Sequence, residues 1–376
     1  MAHPGLPRNG PSLAGLSLAD WSLVDLPSHG LGFLSPETGQ GRDRLGTLAD
    51  FGSNPGALIG RTYVPEGLAV GAPLVVVLHG CTQSAAEYDY GAGWSQMADE
   101  LGFAVLFPQQ SRSNNPNLCF NWFSPIDARR GSGEPLSIRQ MIAAMVATHA
   151  IDERRIFISG LSAGGAMAST MLATYPEVFA GGAIIAGLPY GAAASVGDAF
   201  ARMRGEGYPA QPALTDLARA ASDHDGPWPL ISVWQGAADQ TVSPSNAERI
   251  VGQWQGLHDV VGVAPERDVV EGADRRIWRD AAGRPVIEAY GIARMGHGTP
   301  VAAQGPDGCG ASGPFMLEAG ISSTRHSLRP WGLMDEAVVR SGRVDHRTQG
   351  FAQTSSRPSG VGGLIEETLR KAGLMR

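Results

Sequence analysis

The chain has 376 residues, of which 43% are hydrophobic and 17% charged, and it carries a formal net charge of −7. That length suits one large α/β domain with extensions, and the composition fits a packed core and excludes a disordered chain. The acidic balance offers no surface for nucleic acid, and the excess of arginine over the single lysine, Lys371, reads as coding bias without a function.

Residues 1–55 are rich in Gly, Pro, Ser and Leu, with one helix-like patch at Leu18–Leu26, and read as an N-terminal extension. The first thirty residues hold one basic residue, Arg8, and no apolar stretch of secretory length, so no signal peptide is read here. Residues 56–336 read as the catalytic domain. Within it Pro73–Leu78, Phe103–Phe107, Arg155–Ser159, Gly182–Ala186, Leu230–Trp234 and Val286–Ile292 are short apolar runs of the kind buried on both faces of a parallel sheet. Helical patterns lie between them. Ser137 and Gln140 have capping-box spacing, which predicts a helix opening there and running to His149. Strands alternating with helices predict a mostly parallel sheet flanked by helices. Residues 337–376 are a Gly/Ser-rich tail that closes in a short amphipathic helix, Leu364–Met375. The run Leu74–Leu78 is far shorter than the roughly 20 residues that cross a bilayer, and no membrane span is expected. Three cysteines, Cys81, Cys119 and Cys309, allow one intrachain disulfide at most and lack zinc spacing.

Three loops carry the chemistry. Gly160-Leu161-Ser162-Ala163-Gly164 stands between a strand-like and a helix-like run. A G-x-S-x-G turn in that setting lifts the serine hydroxyl above the sheet and aims the free N–H groups of the next helix at the same spot. Ser162 is therefore the candidate nucleophile. Asp239 lies just past the strand at Leu230, and His297 lies on a glycine-flanked loop past the strand at Val286. The order serine, acid, histidine, each after a later strand, is that of an α/β-hydrolase. A serine hydroxyl needs a neutral imidazole to take its proton, and a carboxylate fixes that imidazole's tautomer. Acyl transfer also needs two convergent N–H donors for the oxyanion. Ala163 supplies one, and Cys81, in His79-Gly80-Cys81-Thr82-Gln83, the other. His79 reads as structural. No metal or organic cofactor is implied.

With the segment Asn117-Leu118-Cys119-Phe120-Asn121-Trp122-Phe123 added, these motifs resemble the polyhydroxybutyrate depolymerase family of esterases, which is related to feruloyl and acetylxylan esterases. The resemblance spans roughly residues 56–335. It implies an α/β-hydrolase fold, a Ser162–His297–Asp239 triad, an oxyanion hole from the Cys81 and Ala163 amides, and hydrolysis of hydroxyalkanoate esters through an acyl-enzyme. A carbohydrate esterase shares every catalytic residue, and an acyltransferase or an inactive scaffold stands further off. The resemblance places Trp122 near the acyl-binding cleft; a buried core tryptophan is the alternative. It pairs Cys81 with Cys119, whereas the lack of a visible signal peptide favours free thiols. Secreted or periplasmic location follows from the resemblance, cytoplasmic location from the missing leader. The expected partner is the ester substrate, oligomer or polymer.

Overall fold

In the runs around 74–78, 104–109 and 156–161 both alternating sets of side chains are apolar, so neither face of these strands can be left to water and each must sit inside a sheet. The computed structural model describes residues 43–334. In chain order, β1 (Gly46–Leu48), β2 (Ile59–Tyr63) and β3 (Leu74–Leu78) precede α1 (Ala85–Ala92) and α2 (Trp94–Leu101). Next come β4 (Ala104–Gln109), α3 (Gly133–His149), β5 (Ile156–Leu161), α4 (Ala163–Thr174), β6 (Gly181–Ile185), α5 (Val196–Met203) and α6 (Gln211–Arg219). β7 (Leu230–Gly236), α7 (Ser245–Leu257), β8 (Glu266–Val270), β9 (Ala273–Arg279), β10 (Pro285–Ile292), β11 (Thr299–Val301), β12 (Met316–Glu318) and α8 (Ser323–Leu328) complete the unit.

One ten-stranded sheet has the order β1-β2-β4-β3-β5-β6-β7-β10-β9-β8. From β4 through β10 every pairing is parallel, and the strands outside that block are antiparallel. Alternation along the strands splits the core. Leu74, Val76 and Leu78 face a layer built from α3, α4 and α7, while Val75 and Val77 face one built from α1, α2 and α8. α4 lies at the centre of the first layer with all its residues buried. Because β3 pairs with β4 on one side and β5 on the other, the loops leaving β3 and β5 diverge at their carboxyl ends. Such a switch point is where open α/β sheets leave a crevice for a ligand.

Every predicted strand is present within a few residues of its expected bounds. The start of α3 is not. The helix opens at Gly133, and Ser137 is an interior, buried residue whose hydroxyl donates to the Gly133 carbonyl at 3.3 Å and accepts the Gly56 amide at 2.8 Å. Gln140 accepts the Asn54 amide at 2.9 Å. The two side chains that look like a capping pair instead pin the loop before β2. The sheet also begins earlier than residue 56, because β1 pairs with β2 from within the segment read as an extension; three residues are too few to show alternation. The patch at Leu18–Leu26 and the helix at Leu364–Met375 lie outside the described residues. Among the described residues, no helix is long and apolar enough to cross a membrane.

Candidate active site

β5 ends at Leu161 and α4 begins at Ala163, so Ser162 alone makes the turn from strand to helix. Its φ of 56° and ψ of −117° are disfavoured for a residue with a Cβ, a strain of about 1–3 kcal/mol. The Ser162 amide donating to the Ile185 carbonyl at 2.9 Å holds it there. The turn closes only because two flanking residues lack side chains. A Cβ at Gly160 would lie 2.2 Å from the Gly164 carbonyl oxygen, and one at Gly164 would lie 2.4 Å from that of Leu78. Gly164 thereby lets the start of α4 sit against the end of β3.

His297 follows β10, and its Nε2 lies 2.9 Å from Ser162 Oγ. Its Nδ1 lies 2.8 Å from Asp239 Oδ2, in the loop after β7. Asp239 is buried and accepts three further N–H groups, those of Gln235 Nε2 at 3.0 Å, Thr241 at 2.8 Å and Val242 at 2.9 Å. A carboxylate so surrounded by donors accepts the hydrogen bond of an Nδ1–H, which fixes the imidazole proton on Nδ1 and leaves Nε2 as the acceptor of the serine proton. Backbone contacts hold the two loops together. Ala237 and Ala238 amides donate to Ile292 and Met295 carbonyls, each at 2.9 Å. Gly236 permits the approach, since a Cβ there would meet the Met295 and Gly296 oxygens at 2.3 and 2.5 Å. Beyond the histidine, the Thr299 amide donates to the Phe315 carbonyl at 2.7 Å, and the Thr299 hydroxyl lies 3.0 Å from that of Tyr88.

The loop after β3 faces the same turn. The Gly80 amide donates to Gln83 Oε1 at 2.9 Å, Thr82 to the Asn117 carbonyl at 2.7 Å and Gln83 to the Gly80 carbonyl at 3.4 Å. Within 80–83 that leaves the Cys81 amide alone without an acceptor among the described residues, and the Ala163 amide, at the start of α4, is likewise unspent. Cys81 is joined to Cys119 by a disulfide. The flanking Thr82 and Leu118 both have left-handed backbone, φ 65° and 55°. The ring of His79 is fully buried and neutral: its Nδ1–H donates to the Gly80 carbonyl at 2.7 Å, and its Nε2 accepts the Gln110 amide at 3.1 Å. Desolvation holds its pKa down at about 4.

Sequence reasoning misses Glu134. This carboxylate, 0% exposed in the first turn of α3, accepts Gln110 Nε2 at 2.7 Å, the Asn121 amide at 2.9 Å, Asn121 Nδ2 at 2.8 Å and Asn114 Nδ2 at 3.2 Å. The amide orientations are forced from the far end: the Ser111 amide donates to Gln110 Oε1, and the Cys119 and Asn117 amides to Asn115 Oδ1, whose Nδ2 donates to Asn121 Oδ1. Gln110 Nε2 also donates to the Cys119 carbonyl at 3.0 Å. Burial pushes the Glu134 carboxyl up to about 8 against the pull of these donors. The one sequence signal was the density of amide side chains at 110–121. Trp122, in the same segment, is 7% exposed and packs in the core with its ring edge-on to Phe123.

The structure thus brings together Ser162, His297 and Asp239, and sets the unspent Ala163 amide beside the turn. An arrangement of this kind can activate a hydroxyl and offer N–H groups to an oxyanion. A family model described as Esterase PHB depolymerase matches residues 58–275. Poly(3-hydroxyalkanoate) depolymerase C of Paucimonas lemoignei is 44% identical over 292 residues, covering 77% of this chain and 70% of that protein. Feruloyl esterase B of Talaromyces funiculosus is 28% identical over 265 residues, 68% of this chain and 73% of that one. Among solved structures, an acetyl xylan esterase from Aspergillus awamori aligns with TM-score 0.65 and 23% identity over 77% of this chain and 99% of its own, which shows a shared α/β-hydrolase fold.

Proposed function

Because the chain belongs to the Esterase PHB depolymerase family of carboxylic ester hydrolases, we propose that it cleaves hydroxyalkanoate esters, such as oligomers or polymers of 3-hydroxybutyrate, with Ser162, His297 and Asp239 as its catalytic triad. The observation that carries this reading is the unbroken chain from Ser162 Oγ through the imidazole to Asp239, at 2.9 and 2.8 Å. The higher identity to a depolymerase than to a feruloyl esterase supports the choice of substrate.

In the proposed route Ser162 Oγ attacks the ester carbonyl as its proton passes to His297 Nε2. The carbonyl oxygen becomes an oxyanion that accepts the Cys81 and Ala163 amides. The C–O bond to the alcohol then breaks as the imidazolium protonates the leaving oxygen, and an acyl-Ser162 ester remains. Water, deprotonated by His297, attacks that ester; the second tetrahedral species collapses, releases the acid and returns the proton to Ser162. Asp239 keeps its charge throughout and steadies the imidazolium. The Cys81–Cys119 bond supports an oxidising compartment, outside the cytoplasm, as the place where the protein works.

The test is release of 3-hydroxybutyrate from a soluble hydroxybutyrate trimer by the protein and by its Ser162→Ala variant. Turnover by the former, with a loss of about 10⁶-fold in the latter, supports the reading. Cleavage of feruloyl or acetyl sugar esters in place of the trimer would move the assignment to a carbohydrate esterase with the same triad.

A further inference from the structure

The ring of Phe315 stands beside the imidazole of His297, with centroids 6.2 Å apart and planes at 78°. Its backbone is left-handed at φ 60°, a region a bulky residue holds only where its surroundings dictate it. The surroundings do so twice. Gly313 and Met316 exchange both backbone hydrogen bonds at 3.0 Å, which makes a tight turn around Phe315, and the Phe315 carbonyl accepts the Thr299 amide at 2.7 Å. Gly298 admits that carbonyl, since a Cβ there would lie 2.7 Å from it. The turn is therefore fastened to the two residues that follow His297, and ring and imidazole keep one geometry. Met316 is buried, yet Phe315, which stands beside the imidazole and packs on the core, is only half-buried, so the protein does not cover this residue completely.

Proton bookkeeping tells which part of a substrate passes there. His297 Nε2 must give its proton to the leaving oxygen, so the alcohol half of the ester lies against the imidazole when the C–O bond breaks. The acyl carbon is by then bonded to Ser162. A ring standing at a steep angle beside the imidazole is placed to border the alcohol half. We propose that Phe315 sets selectivity for the alcohol half of the ester, as an apolar wall against which that half packs while its oxygen takes the proton. In a hydroxyalkanoate oligomer the alcohol half is the rest of the chain. The inference rests on the serine-esterase reading of the site.

Two ester series test it: one acid esterified with alcohols of increasing apolar size, and one alcohol esterified with acids of increasing length. Phe315→Ala is expected to lower kcat/KM for the largest alcohol by about tenfold relative to the methyl ester. Its preference among acids stays unchanged, as does the deacylation rate, which all esters of one acid share. Phe315→Leu keeps apolar bulk and is expected to retain a preference for large aliphatic alcohols while losing that for aromatic ones, so it carries the test if the alanine variant does not fold. A uniform loss across alcohols, which mere shielding of His297 would give, overturns the proposal, and so does an effect that follows the acid. Failure of the esterase reading looks different: the wild type then cleaves neither series, or Ser162→Ala keeps its activity.

Discussion

The two sides of the site are held by different means. On the triad side the loops after β7 and β10 are laced by backbone hydrogen bonds from Ala237 and Ala238, and glycine at 236 lets them touch. On the opposite side the Cys81 loop has one such backbone tie, from Thr82 to the Asn117 carbonyl, and hangs otherwise from side chains: a disulfide to Cys119, the neutral ring of His79, and the amides of Gln110, Asn114 and Asn121 gathered on Glu134. Backbone lacing tolerates almost any side chain except where a Cβ would intrude. A side-chain scaffold depends on each member and on its ionisation and redox state. The triad side should thus be robust to solution conditions and fragile at its close-packed glycines, Gly236 above all, and the other side the reverse.

The largest expected effect that separates the sides is reduction of Cys81–Cys119, or its replacement by two serines. Freed of its tether, the Cys81 amide should lose its aim at the oxyanion position proposed for it, lowering kcat by about 10²–10³-fold, the usual loss of one such donor, with little change in KM. Steady-state kinetics with and without reductant would show it, and an unchanged kcat would break the comparison. Gly236→Ala probes the other side. The new Cβ would press on the Met295 and Gly296 carbonyls and displace His297, at a cost of about 10²-fold in kcat that no reductant alters. Glu134→Gln is next, because an NH₂ group would then stand among donors; we expect kcat to fall about tenfold while KM holds. Last, and on stability instead of rate, is a pH effect from His79. Its folded pKa of about 4 lies below the ordinary 6.5, so between those values the unfolded chain binds a proton that the folded one refuses. The contribution of this one group to stability should therefore fall as pH drops from 6.5 towards 4, by about 3 kcal/mol. Urea unfolding across that range should show a shallower slope for His79→Asn.

Much of this was legible in the sequence because the parts repeat local rules. The central strands are apolar on both faces, and the turn at Ser162 advertises itself by the glycines its crowding demands. The order of Ser162, Asp239 and His297 follows from strands read one after another. What is not legible depends on partners distant in the chain. Ser137 and Gln140 have a capping pattern, yet their acceptors and donors lie near Gly56 and Asn54, which no local rule can supply. Glu134 looks like a first-turn helix acid until Asn121 and Gln110 fold over it. β8 and β9 are hidden in the sequence because their arginines and acids resemble a solvated loop; paired, they form ladders such as Arg279 on Glu266 at 2.9 Å and guard an open edge with charge. Phe315 lacks any motif, and only the turn that carries it brings it to His297.

The complete burial of α4 bears on how the protein would fail. A helix covered on every side has no route to open by itself, so its amides should exchange with deuterium only when the whole unit unfolds. Ser162 sits at the head of that helix and shares its fate. Heating should then erase ester cleavage and the protection of 166–174 in a single step, with no inactive but folded form between them.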